Sequence, residues 1–218
     1  MSVAEDTQGL LGQYLNLFAH TEIFVFVFME IVTKLRPIQR VIFKKALWRD
    51  YVIFVTIFGL FSIFGTYIGS TEEYGVITNI RDLAPMVAGL VAGPVPGLAA
   101  GLIGGAHRYA LGGATGLPCS LATILAGLLA GLVHRLNKGR LLGILPAMVF
   151  ALAIEFLHLG LALVLSPAPE VVAVVLDSMP QIMIAVTLGM GICIIIIHTT
   201  KEEPEDRGNG KPQVALDT

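Results

Sequence analysis

The chain has 218 residues, 55% of them hydrophobic and only 14% charged, with a mean hydropathy of +0.80. That composition excludes a soluble catalytic domain: spans of about 20 apolar residues plus their turns use up the whole length in five or six crossings. The net charge of −2 excludes little, because in a membrane protein the position of charges matters more than their sum; no nucleic-acid partner is expected.

The first residues, MSVAEDTQG, carry Glu5 and Asp6 and no Lys or Arg. They lack the basic start of a cleavable signal peptide, so the apolar stretch over 10–33 reads as a retained helix, broken by His20, Glu22 and Glu30. A second span is predicted over 51–68, glycine-rich sequence fills 83–117, and further helices are predicted over 118–133, 141–165 and 180–197. The fold class is therefore an all-α, polytopic membrane helix bundle occupying 1–200. The remainder, 201–218, is polar with Pro, Gly and mixed charge, and is expected to be a disordered cytoplasmic tail. Cys119 and Cys193 both lie in apolar segments, so neither a disulfide framework nor a zinc spacing is offered.

Of the fourteen Lys and Arg, six (Lys34, Arg36, Arg40, Lys44, Lys45, Arg49) fall in one connection and three (Arg135, Lys138, Arg140) in another. The positive-inside rule places both in the cytoplasm, which puts Glu72 and Glu73 outside and requires an odd number of crossings before Arg135. Two apolar segments lie in that interval, so the parity fails if both cross once. A glycine-rich segment that enters from outside and returns as a broken or re-entrant element repairs it and leaves five true crossings. Such backbone survives at membrane depth only inside protein or beside a wet cavity. The alternative is six ordinary helices with one basic connection against the rule.

Within GLVAGPVPGLAAGLIGG, Gly89, Gly93, Gly97, Gly101 and Gly105 recur every four residues, a ridge suited to close helix packing. Pro94 and Pro96 interrupt it, so a break is expected near 93–97. Arg81 and Arg108 are the only Lys or Arg between 51 and 133, and a guanidinium inside a span faces a partner or water. Its planar donor fork matches a carboxylate. If the segment folds back, the two arginines converge on one anion, close to Thr115, Cys119, Ser120 and Thr123 around Pro118, where a helix start adds free amides. Read singly, Arg108 is a loop residue reaching headgroups, Arg81 pairs with Asp82, Asn79 is an N-cap with Asp82 three residues on, and the hydroxyls cap local backbone.

Glu155 and His158 form a single Glu-x-x-His pair, where a di-iron bundle needs two; a contact supporting the pocket fits them better than a metal, and no metal or cofactor is expected. His20, His134 and His198 read as solvated interface residues. Phe24, Phe26, Phe28, Phe58, Phe61 and Phe64 read as packing or lipid-facing residues. No phosphate-binding loop, kinase motif or serine-hydrolase elbow is present.

The run IFGLFSIFGTYIG followed by NIRDLAPMVAGLVAGPVPGLAAGLIGGAHRYALGGATGLPCSLATILAGLLAGLV resembles the membrane receptor region of LytS–YhcK type, the five-transmembrane sensor module of bacterial histidine kinases and some diguanylate cyclases. The resemblance implies a multi-pass sensor in a bacterial plasma membrane that binds a small extracytoplasmic carboxylate, with pyruvate-like acids as candidates. It also implies phosphorelay signalling, in cell-wall or nutrient regulation, to a cytoplasmic kinase-type partner. It implies ligand contacts at Arg81, Arg108 and Cys119, with Asn79, Ser120 and Thr123 beside them. Some members carry a serine three residues after the cysteine, where this chain has Ala122. No kinase or cyclase module is recognisable after the last span, so the chain is not expected to be an enzyme, and output would pass through a separate kinase or a second copy. A small-solute transporter, or a subunit of one, is the alternative, and an enzyme built on Glu155 and His158 a third reading.

Overall fold

The structure is a computed structural model that describes residues 19–68, 71–77 and 79–208. Helix α1 occupies 19–32, and the earlier part of the first predicted span lies outside the described residues, as does 209–218 of the predicted tail. There follow α2 (Arg36–Ile42), α3 (Trp48–Ile68), a single 3-10 turn (Glu73–Gly75), α4 (Leu83–Ala92), α5 (Pro94–Leu111), α6 (Gly116–Leu136), α7 (Ile144–Leu165) and α8 (Pro169–Gly208).

Among the described residues, α3, α6, α7 and α8 are long and apolar enough to cross a membrane. Helix α1 packs antiparallel on α3 through an aromatic stack: Phe28 lies 3.8 Å from Phe61 and Phe24 4.7 Å from Phe64, centroid to centroid. Phe26 points outward. Helix α8 begins at Pro169, earlier than predicted, and Pro180 sits inside it. An apolar helix tolerates an internal proline where neighbouring groups take up the freed carbonyl.

The glycine-rich segment is a helical hairpin. Gly93 has φ of 94°, a backbone state that glycine adopts without steric cost, and Pro94 opens the next helix, where its fixed φ is favourable. Contacts with α6 give the directions. Asp82 meets Thr123, Pro85 meets Gly127 and Leu90 meets His134, so α4 runs parallel to α6. Pro94 meets Gly131, Gly97 meets Gly127 and Gly105 meets Ser120, so α5 runs antiparallel to it. The expected ridge is thus split, with Gly89 on one arm and Gly97, Gly101 and Gly105 on the other.

The hairpin fits the crossing parity: α4, α5 and α6 alternate in direction, so three passes lie between the 71–77 loop and Arg135, the odd number that the positive-inside argument requires. Ten residues give α4 a rise of about 15 Å, half the hydrocarbon thickness, so it is not an ordinary span. The basic connections share one end of the bundle, because a side chain on Gly139 would sit 3.2 Å from Lys44 Nζ. His134 is not simply solvated as expected: its Nδ1 lies 2.7 Å from the Leu90 carbonyl, holding the hairpin tip at that end. His198 likewise reaches the Leu142 carbonyl at 3.1 Å, while His20 is exposed.

Two outcomes are expected. Gly127→Val puts carbon into the Gly97 carbonyl and against Pro85, so it should lower thermal stability in detergent by at least the about 1–3 kcal/mol typical of overpacking; Gly160→Val, with nothing within 4 Å of a built Cβ, should leave it unchanged. Tags inserted after Arg140 should label from the cytoplasm and tags at Ala168 from the opposite side.

Candidate ligand site

The hairpin and α6 set the depth of the site, and α3 and α7 close it. Gly65 on α3 leaves room for the backbone of the incoming loop, whose Arg81 Cα lies 3.2 Å from where a Gly65 Cβ would be. Ser62 Oγ donates to the Arg81 carbonyl at 3.0 Å. Asn79 does not cap a helix, since α4 starts only at Leu83 with Asp82 before it. Its amide instead donates to the Ile77 carbonyl at 2.7 Å and its Oδ1 accepts from the Arg81 N–H at 3.0 Å. This is the local turn that Asn side chains favour, and it aims Arg81 inward.

Arg81 is 0% exposed. Its Nε donates to Thr123 Oγ1 at 2.7 Å and lies 3.5 Å from Asp82 Oδ1, while Nη1 and Nη2 have no hydrogen-bond partner. The expected pairing with Asp82 therefore exists, buried within the protein. Thr123 is the hub: besides accepting from Arg81, its hydroxyl lies 2.5 Å from Asp82 Oδ1 and 2.9 Å from the Cys119 carbonyl, and its one proton serves either.

Arg108, also 0% exposed, is not a headgroup-facing loop residue. It ends α5, where a cation suits the helix dipole. Nη1 donates to the Gly112 carbonyl, and Nη2 donates to Thr115 Oγ1 at 3.0 Å and the Gly75 carbonyl at 3.3 Å. A cavity of about 270 Å³ adjoins this cage and is lined by Gly75, Gly112, Gly113, Thr66 and Tyr67 among others. A larger cavity of about 520 Å³ lies elsewhere, between Tyr51, Val55 and Pro96.

Helix α7 contributes what the sequence had left at the margin. Ala147, Ala151, Glu155, His158 and Ala162 form its buried face, the i, i+4, i+8 pattern of a packed stripe. That face turns Glu155 and His158 onto α6. His158 Nε2 lies 3.2 Å from Cys119 Sγ. On the other side of the ring, Nδ1 lies 2.9 Å from Asp82 Oδ2 and 3.6 Å from Glu155 Oε2, as electrostatic contacts. Both Glu155 oxygens are buried without a hydrogen-bond partner. Of the predicted site residues, Arg81 and Cys119 meet through Thr123, Arg108 is held beside the start of α6 by Thr115, and Asn79 positions Arg81. Ser120 is spent locally, donating to the Gly116 carbonyl at 2.6 Å. Asp82 belongs to the centre of the cluster; its signal was a carboxylate next to a buried arginine.

Asp82, Glu155 and His158 each offer a ligand atom within 4.8 Å of the others, distances that suit a metal ion. Arg81, 3.5 Å from Asp82, already brings cationic charge to that carboxylate. A buried cluster of two guanidiniums, two carboxylates, an imidazole and a thiol inside an apolar bundle defines a multi-pass membrane protein with an internal polar site.

The chain matches the family described as 5TMR of 5TMR-LYT over residues 35–200. It belongs to that family, the five-transmembrane receptor region of LytS-type kinases. The family is a membrane sensor module of signalling kinases. No curated protein and no solved structure matches the chain.

Thr123→Val should strip Arg81 Nε and Asp82 of a shared partner inside the protein. A buried polar group left unmatched costs about 1–3 kcal/mol, so the melting temperature should fall clearly, whereas Thr123→Ser, which keeps the hydroxyl, should stay near wild type.

Proposed function

We propose that residues 1–200 form a sensor unit that binds a small extracytoplasmic carboxylate, with pyruvate-like acids as the class, between Arg81 and Arg108, and signals to a separate kinase-type partner at the basic end of the bundle. The observation that carries this reading is Arg81: two guanidinium nitrogens, fully buried, with no hydrogen-bond acceptor. A buried donor of that kind is costly unless a partner arrives, and a carboxylate offers two oxygens at the spacing of the fork.

Arg108 supplies the switch. Its nitrogens hold the carbonyls of Gly75, in the outer loop, and Gly112, at the end of α5. An anion drawing Arg108 toward Arg81 releases both. The outer loop is tied to the same region by the Ala114 N–H donating to the Tyr74 carbonyl at 3.1 Å. Ligand then has different contacts in the two states, as a population shift requires. The arms of the hairpin carry the difference toward the His134 contact at the basic end, where an output partner meets the bundle in a bacterial plasma membrane.

A transporter is the second reading, favoured by the short arm of the hairpin, since carriers bind solute at discontinuous helices. Uptake of labelled pyruvate by vesicles holding only this protein would decide for it.

Calorimetric titration of the detergent-solubilised chain with pyruvate, lactate and acetate tests the site. Removing one partner of a buried charged hydrogen bond costs about 2 to 5 kcal/mol, so Arg81→Ala and Arg108→Ala should each weaken binding by more than about tenfold. Unchanged affinity in Arg108→Ala, with the bundle folded, would overturn the assignment.

A further inference from the structure

The cluster holds more than an anion needs. Cys119 Sγ, His158 Nε2, His158 Nδ1 and Asp82 Oδ2 stand in series at 3.2 Å and 2.9 Å. A thiol beside an imidazole whose far nitrogen faces a carboxylate is the set of groups that activates a nucleophile; here the Asp82 contact is electrostatic, Nδ1 making no hydrogen bond. Cys119, His158 and Asp82 are all at most 5% exposed, and the unpartnered Nη1 and Nη2 of Arg81 stand in the same cluster, bonded through Nε to Thr123, which reaches the Cys119 carbonyl. Cys193 makes the contrast. It is equally buried and free, and among the described residues no imidazole hydrogen bond to it is found.

We infer that Cys119 is a nucleophile that adds reversibly to the carbonyl carbon of a 2-oxo acid held by the guanidiniums, so that the sensor reads a thiohemiketal and not merely a bound anion. The inference rests on the carboxylate reading above and names the class within it. In the step, the Sγ–C bond forms and the π pair of the C=O bond moves onto oxygen. His158 Nε2 takes the thiol proton and returns it to that oxygen, with Asp82 facing the transient imidazolium. Nothing leaves, and no oxidant, reductant or co-reactant is consumed. The guanidiniums fix the carboxylate, which sets the adjacent carbonyl carbon near the thiol. The adduct also separates ligands that charge alone does not: a 2-hydroxy acid or acetate has the carboxylate but no ketone to attack.

The full chain in detergent, given pyruvate labelled with carbon-13 at C2, tests this by nuclear magnetic resonance beside calorimetry on the same sample. Binding with the C2 signal moved from the ketone region to that of a tetrahedral carbon supports the adduct. Binding with C2 still a ketone overturns it and leaves the carboxylate reading standing, and no binding of any acid overturns both. Neither observation depends on a variant folding. In a second arm, Cys119→Ser should weaken pyruvate by about tenfold or more while moving lactate and acetate far less; equal losses for all three overturn the adduct. Alkylation by iodoacetate, read by peptide mass spectrometry, should mark Cys119 before Cys193 and slow in His158→Gln. Equal labelling of the two cysteines counts against an activated thiol.

Discussion

Two helices touch backbone to backbone at the centre of this protein. A side-chain carbon on Gly97 would overlap the Gly127 carbonyl, and one on Gly101 would lie 2.9 Å from the Thr123 carbonyl. With no side chains between them, the α5 arm of the hairpin sits so close to α6 that Arg108, at the end of one, comes over the Gly116–Cys119 turn at the start of the other. The α4 arm does the same for Arg81 and Asp82 against Thr123. Lipid tails give helices no hydrophobic reason to associate, so close van der Waals packing of this kind carries much of the assembly.

The close approach also makes buried charge tolerable. An isolated ion in an apolar interior costs far more than any one contact returns, and here several of the charged groups face a polar or charged neighbour. Arg81 faces Asp82, Asp82 faces His158, His158 faces Cys119, and Arg108 is surrounded by carbonyl and hydroxyl oxygens. Among the described residues, the buried polar atoms left without a hydrogen-bond partner include two nitrogens of Arg81, Nε of Arg108, Nδ1 of His158 and both oxygens of Glu155 in this region, and also both oxygens of Glu22, Nδ1 of His107 and the hydroxyl of Thr187. A bundle that left these groups open for structural reasons alone would be less stable for it. Those of Arg81, Glu155 and His158 stand in one cluster.

The basic end and the site lie at opposite ends of the same three helices. His134 grips the Leu90 carbonyl at the hairpin tip, while Arg108 grips Gly75 and Gly112 at the other end. The hairpin is held to α6 by His134 at one end and by Thr115 and Thr123 at the other, and is packed between them on glycine. Shear between packed helices is a recurrent way to carry a signal.

Much of this was legible in the residues. Apolar runs ending in charge marked the spans, two prolines in a glycine ridge marked the break, and the placement of the basic connections favoured an element that turns back over six ordinary helices, because each of these is local chemistry along the chain. The helix α8 was mislaid since a lone Pro180 reads as a start when its neighbours are unseen. The N-cap reading of Asn79 failed because the helix it would cap begins only after Asp82. Which groups meet at the site was beyond local pattern: Cys119, His158 and Asp82 are far apart in the chain, and only the register of α6 against α4 and α7 brings a thiol, an imidazole and a carboxylate into line. Sequence alone settled what each segment prefers in a membrane; the glycine-to-glycine contact distance, a property of two backbones at once, decided which side chains became neighbours.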